Sequence, residues 1–258
     1  MSNYIGKPER ASQDRVIKLF QTELGYTYLG DWEEEVRTQP IEEKILKEYL
    51  LGKGYSAIQA QKAIDKLVKA ASNLSSGLYE SNKEVYHLLR YGITVREEIG
   101  QPKETVWLID WKKPKSNQFA VAEEVTVQGK HTKRPDVVIY VNGIALGIIE
   151  LKRSKVGVEQ GIRQNLDNQK DEFIPKFFTT MQLVLAGNDT QGIRYGTIET
   201  PEKYFLTWKE ETDKDFDYVL DKHIYQLCEK TRLLELIHDF VVFDKGVKKL
   251  CRPNQYFG

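Results

Sequence analysis

The hydrophobic pattern changes period twice along the chain. In the first third, apolar positions recur every three to four residues, the spacing of one helix face. Val16, Ile17 and Phe20 behind a candidate N-cap at Ser12 predict a helix over 11–20, closed near Gly25. A short strand is expected over 26–29 and a helix over 41–51. A third runs from the Ser56 cap to about residue 71, with Ile58, Ile64, Leu67 and Val68 on one face. After the polar stretch 72–77, another helix is expected over 81–91, stopped by Gly92. From there the period shortens. Segments 106–109, 119–127, 137–141 and 145–151 are short, apolar and β-branched, bounded by Gly, Pro, Asn and Lys, and they read as strands. A helix over 157–173 follows, then strands over 182–186, 193–198 and 204–208, then helices over 217–230 and 232–243. Strands between helical runs predict an α/β fold with a mixed central sheet flanked by helices and a helical N-terminal elaboration. The expected division is 1–77 for that elaboration, 78–215 for the core and 216–258 for C-terminal helices.

Composition narrows the function classes. Of 258 residues, 40% are hydrophobic, and fourteen Tyr, ten Phe and four Trp exclude a disordered chain. Thirty-eight basic residues against 38 acidic ones give zero formal charge, so any contact with nucleic acid must come from a local patch. No run approaches the length of a membrane span. The N-terminus lacks the apolar core of a secretory signal, and Cys228 and Cys251 show no metal-like spacing, so a cytoplasmic location is expected. The four His have no ligand spacing, which argues against His131 as a metal ligand. There is no G-x-S-x-G elbow, and no G-x-x-x-x-G-K-[ST] phosphate loop, so the chain itself is no ATP motor.

The chemistry-bearing segment is RPDVVIYVNGIALGIIELKRSKVGVEQGIRQ, Arg134 to Gln164. Asp136 opens an apolar strand, Asn142-Gly143 is a hairpin turn, and the returning strand ends in Glu150-Leu151-Lys152. Glu150 and Lys152, two apart, share a strand face. A strict two-residue loop would set Asp136 against Ile149, on the wrong face for Glu150. One extra residue, in a three-residue loop or in a bulge at Gly147, sets Asp136 opposite Glu150, and such a residue is expected. Two carboxylates brought together would be relieved by a hard divalent cation such as Mg²⁺, with the Leu151 carbonyl as a further ligand and Lys152 beside it to act on a phosphodiester. The bland alternative is a solvated surface ion pair.

An Asp opening one strand and Glu-x-Lys ending the next resembles the PD-(D/E)xK nuclease superfamily. The wider text is more specific. LGYTYLGDW (24–32), NKEVYHLLRYG (82–92), EEVTVQG (123–129), IRQNLDNQ (162–169), LAGNDTQGIRYGTIETPEKYF (185–205) and ELIHDFVVFDKGVKKLCRPNQYFG (235–258) resemble the N-terminal region of the R subunit of type I restriction-modification enzymes. The resemblance implies a restriction-endonuclease-like fold and a Mg²⁺-dependent endonuclease acting on double-stranded DNA. It also implies a following ATP-driven motor, so that ATP binds only in the full-length subunit, and assembly with modification and specificity subunits. The chain is then expected to be the front part of a longer polypeptide. Asp136 and Glu150 would hold metal, and Lys152 would orient water and stabilise the phosphate. Several relatives carry Gln-x-x-x-Tyr on the next helix. Gln164 is the candidate here, but Asn168 stands where Tyr is expected, and Gln160 reads as a polar helix face. Some nucleases add a carboxylate from an earlier helix, for which Glu84 is the candidate and Glu80 the second.

Lys130, Lys133, Arg134, Arg153 and Lys155 are candidates for a basic, phosphate-contacting rim. Lys245, Lys248, Lys249 and Arg252 form a second basic cluster, expected on an exposed helix end. Trp107, Trp111 and Trp208 are expected in the core. Two other readings stay open: another DNA-processing nuclease of this superfamily, for example in repair, and a non-catalytic docking module of a restriction complex.

Overall fold

The structure, a computed structural model, describes residues 8–258. The N-terminal half is α1 (Pro8–Thr22), β1 (Thr27–Asp31), α2 (Glu43–Gly52), α3 (Ala57–Ser72) and α4 (Gly77–Tyr91), followed by a small antiparallel hairpin, β2 (Ile93–Arg96) and β3 (Lys103–Val106). Then come β4 (Phe119–Glu123), β5 (Val137–Val141), β6 (Ile144–Leu151), α5 (Val158–Asn168), β7 (Leu183–Asn188), β8 (Gly192–Gly196) and β9 (Leu206–Thr207). The chain continues through α6 (Val219–Leu227), α7 (Lys230–Asp239), β10 (Val241–Asp244), β11 (Val247–Leu250) and α8 (Pro253–Phe257). The main sheet runs β1-β4-β5-β6-β7-β8-β9. It is mixed: β1 with β4 and β6 with β7 are parallel, and the other neighbours are antiparallel. This is an α/β restriction-endonuclease-like arrangement. Among the described residues no helix is long and apolar enough to cross a membrane.

The central strands β5 and β6 are buried at every position, as strands covered on both faces must be. One face packs against α1 to α4, α6 and α7, through residues such as Phe20, Leu46, Leu67, Leu89, Ile224 and Leu234. The other is covered by α5 and the segment after it, through Val158, Ile162, Phe177 and Phe178. The β6 side chains show where the register changes. Ile144 and Leu146 face the first core, and Ala145 faces the second. Beyond Gly147 the parity reverses: Ile149 and Leu151 face the first core, and Ile148 the second.

A β-bulge causes that reversal. Val141 pairs with Ile144 and Tyr140 with Ala145, but Ile139 pairs with Gly147, leaving Leu146 as the extra residue. The turn itself keeps two residues. Asn142 and Gly143 have φ of 52° and 80°, as a type I′ turn requires. The turn is buried under α2: Glu42 N–H donates to the Gly143 carbonyl at 2.8 Å, and the Asn142 amide donates to the Leu108 carbonyl and Asn117 Oδ1.

Several local expectations are corrected. Ser12 is inside α1 and caps nothing; its hydroxyl donates to Asp189 Oδ2 at 2.8 Å. Segment 106–109 is not a sheet strand: only Val106 is in β3, which pairs outside the main sheet. Trp107 is consequently exposed, whereas Trp208 is in the core and Trp111 packs partly buried against it. The helix expected to reach residue 243 ends at Asp239, and a β10–β11 hairpin follows. Lys248 is therefore not on a helix end. Its ammonium is buried, donating to Asn82 Oδ1, Gln182 Oε1 and the Met181 carbonyl at 2.8, 2.6 and 3.1 Å.

The Gly143 geometry has a measurable consequence. A Cβ there would stand 2.7 Å from the Glu42 carbonyl oxygen, whereas at Gly54 (φ 90°) there is open space. Gly143→Ala is expected to destabilise the fold by about 1–3 kcal/mol, and Gly54→Ala by less, in urea unfolding.

Candidate active site at one edge of the sheet

The C-terminal ends of β1, β4, β6 and β7 and the N-terminal end of β5 meet at one edge of the sheet. The shifted register continues past Val137↔Ile149, so Asp136 comes opposite Glu150, on the face shared by Val138 and Ile148. The Asp136 carboxylate accepts a hydrogen bond from Leu151 N–H at 2.6 Å. Lys152 projects from the same face as Glu150, with its ammonium 3.8 Å from Glu150 Oε2 and 2.9 Å from the Leu151 carbonyl oxygen. The Lys152 backbone N–H donates to the Gly187 carbonyl, so the ladder to β7 holds this strand end in place.

Glu150 is the abnormal group. It is 0% exposed, yet neither carboxylate oxygen accepts a hydrogen bond within normal geometry. Burial first, then the facing Asp136 carboxylate, push it well above the usual carboxylate range, against the opposing pull of Lys152. A buried, charged carboxylate without donors is costly, and a bound cation removes that cost. Asp136, Glu150 and the Leu151 carbonyl could together offer three oxygens to a hard cation that retains waters. Among the described residues no group of three or more His, Cys, Asp and Glu is disposed to hold a metal, so the set is too sparse for a fully protein-enclosed ion.

Glu123 and Glu124, at the end of β4, share this edge but are differently placed. Glu123 accepts from Tyr28 Oη at 2.6 Å, Gln13 Nε2 at 2.9 Å and Arg10. Glu124 accepts from Gln13 Nε2 at 3.0 Å and pairs with Arg134 at 2.9 Å. Its φ of 49° lets its own N–H donate to the Asp136 carbonyl at 3.0 Å. Gln13 reaches the same carbonyl at 3.4 Å. α1 thus lies across the edge, and it continues to Asp189 and Asp221 through Arg15. Sequence reasoning missed Gln13 and Arg10. They are more than a hundred residues from their partners, and the only local signal was the acidic pair ending β4.

The other candidates divide. Gln164 is half-buried on α5, and Gln160 is exposed. This helix packs closely on the working strand, for a Cβ on Gly161 would lie 3.4 Å from both the Glu150 carbonyl oxygen and Lys152 Cγ. Glu84 and Glu80 are not brought to the site. They line a surface hollow on α4, the helix whose Asn82 bonds the carbonyls of Phe178, Thr179 and Met181 before the start of β7, at the other end of the sheet. Of the basic rim, Arg134 bridges Glu33 and Glu124 beside Asp136, and Arg153 and Lys155 are exposed on the loop after β6. Lys133 lies over the Phe173 ring at 3.9 Å, and the exposed Lys130 is held there by its backbone, away from the carboxylates.

The raised Glu150 makes a stability prediction. Its folded-state pKa exceeds the unfolded value, so its contribution is fully present below the unfolded pKa and is lost as pH rises through the folded one. Without divalent cations, Glu150→Gln should therefore raise the thermal midpoint by a few degrees at pH 8 and by little at pH 4. Mg²⁺ should stabilise the wild type at pH 8 and leave the variant unchanged.

A family model described as the type I restriction enzyme R protein N terminus matches residues 7–203. The type I restriction enzyme HindI endonuclease subunit of Haemophilus influenzae is 30% identical over 217 residues, covering 77% of this chain and 20% of that protein. The putative MjaVIIIP endonuclease subunit of Methanocaldococcus jannaschii is 27% identical over 236 residues, covering 86% and 22%. The EcoprrI endonuclease subunit of Escherichia coli is 26% identical over 159 residues, covering 59% and 50%. The chain matches about a fifth of the length of the first two relatives. With the matching domain covering most of its length, the chain belongs to the family of type I restriction enzyme R protein N-terminal regions.

Proposed function

We propose that this chain is the DNA-cleaving part of a type I restriction enzyme R subunit, hydrolysing phosphodiesters with a bound Mg²⁺. The observation that carries the reading is the buried, donorless Glu150 carboxylate facing Asp136 with Lys152 beside it. An isolated surface ion pair would be solvated, not sealed into a strand end. Asp136, Glu150 and the Leu151 carbonyl would hold the ion. When bound, Mg²⁺ would supply positive charge against the phosphate and lower the pKa of a neighbouring water. Lys152, its side chain 13% exposed beside Glu150, would orient that water and counter charge growing on the phosphate. Gln164, on the helix packed against this strand end, is the candidate to position the attacked strand. Arg134, Arg153 and Lys155 would hold the backbone without reading sequence, and Lys130 and Lys133 would serve a more distant stretch.

Within this reading the duplex is delivered by an ATP-driven motor outside this chain, in a complex with modification and specificity subunits. Cleavage is then not sequence-specific at this site. The names of the matching endonuclease subunits support that assignment over a repair nuclease. The buried Glu150 carboxylate facing the partly exposed Asp136 supports it over a non-catalytic docking module.

In the complete restriction complex with Mg²⁺ and ATP, Asp136→Ala and Glu150→Ala are each expected to lower the rate of DNA cleavage by about 10³-fold or more. ATP hydrolysis and translocation should be unchanged. Lys152→Ala should lower the cleavage rate by about 10²-fold with little change in the Mg²⁺ requirement. Normal cutting by both carboxylate variants would overturn the assignment.

A further inference from the structure

A second site lies at the other end of the hairpin from the carboxylates. Beside the buried Asn142–Gly143 turn is a cleft of about 680 Å³, within the size range of small-molecule and cofactor pockets. The five residues of β5 put about 17 Å of strand between it and the acidic edge. Tyr49, tied through its hydroxyl to Asn117, and Trp111, tied through its indole N–H to the Leu89 carbonyl, line the interior. Tyr55, Trp107 and Tyr91 complete the aromatic lining. Trp107 and Tyr91 are large flat rings left 43% and 60% exposed.

Their exposure is built in. The Trp107 backbone N–H donates to Tyr55 Oη at 3.0 Å, and its ring lies close to Gly92, where a Cβ would stand 3.4 Å from Trp107 Cδ2. Around the rings are Arg90, Lys53 and Lys112, with His238. The acid in the lining, Asp110, is held by Lys53 at 3.0 Å and by Ser116. An aromatic interior with a predominantly cationic border fits a ligand with flat faces and a negative backbone. A nucleobase exposes its face only when it is unpaired, so a duplex would present nothing for these rings to stack on.

We propose that this cleft, formed by Trp107, Tyr91, Tyr55 and Trp111 with Arg90, Lys53 and Lys112, binds unpaired nucleotides of single-stranded DNA. The site is separate from the hydrolytic edge and takes no part in bond cleavage. It holds a strand that has been opened, as arises wherever a duplex is locally melted.

The test uses the 258-residue chain in EDTA, so that no cutting occurs, and a short fluorescein-labelled oligothymidylate read by anisotropy. Wild type should bind it in low salt and prefer it to a blunt duplex of equal length. Trp107→Ala and Tyr91→Ala, at exposed positions, should each weaken binding about tenfold with unchanged circular dichroism. Trp107→Phe should recover most of the affinity. Lys112→Glu should weaken binding and flatten its salt dependence. Asp136→Ala should bind as wild type does, so loss of the nuclease assignment and loss of this one are separable. The proposal is overturned if wild type does not bind the oligonucleotide, if Trp107→Ala and Tyr91→Ala bind as tightly as wild type, or if the duplex competes equally.

Discussion

One extra residue in one strand governs the rest of this structure. Side chains on a strand alternate faces, so Asp136 and Glu150 can share a face only if the pairing between β5 and β6 slips by one. The bulge at Leu146 supplies that slip. Its effect is visible in the cores: Leu146 and Ile149, three apart, face the same helices, which an unbroken strand could not arrange. Without it Glu150 would turn toward α1 and α6, and Asp136 would remain with α5. The bulge is anchored from both sides, by a rigid two-residue turn buried under α2 and by the parallel ladder from β6 to β7.

The same edge carries two kinds of acid. Glu123 and Glu124 are satisfied by Gln13, Arg10, Arg134 and Tyr28, which bring charge or N–H and O–H donors to them. Glu150, more deeply buried, has Lys152 at 3.8 Å and a like charge opposite. Stability alone would have favoured the first arrangement throughout, since a buried carboxylate without donors works against folding. The edge satisfies its outer acids and leaves the innermost one without donors, and a cation bound there would remove that cost. α1 does much of the sorting. It is laid across the edge by contacts to Glu123, Asp189 and Asp221, from positions remote in the chain.

The opposite end of the fold shows comparable care with polar groups for a different purpose. Lys248 reaches from the β10–β11 hairpin into the junction between α4 and the start of β7, where three oxygens accept its three N–H groups. Burial lowers its pKa well below the usual lysine value, while the three acceptors favour its protonated form. The C-terminal hairpin is thereby fastened to the same sheet whose other end carries the carboxylates.

Much was legible from the residues in order. The apolar β-branched runs that became β5, β6 and β7, the Asn-Gly turn, the Ser56 cap and the Glu-x-Lys strand end are set by local rules: backbone sterics, side-chain periodicity and turn conformations. Setting Asp136 opposite Glu150 also called for one extra residue in the hairpin. Local rules left two places for it, a three-residue loop or a bulge near Gly147. The tertiary structure puts it at Leu146 and keeps the turn at two residues. The tertiary structure alone placed Gln13 and Arg10 at the carboxylate edge, took Glu84 away from it, buried Lys248 and exposed Trp107. Each of those outcomes depends on contacts between segments far apart in the chain, and a side chain's local pattern carries no information about a surface it meets a hundred residues away.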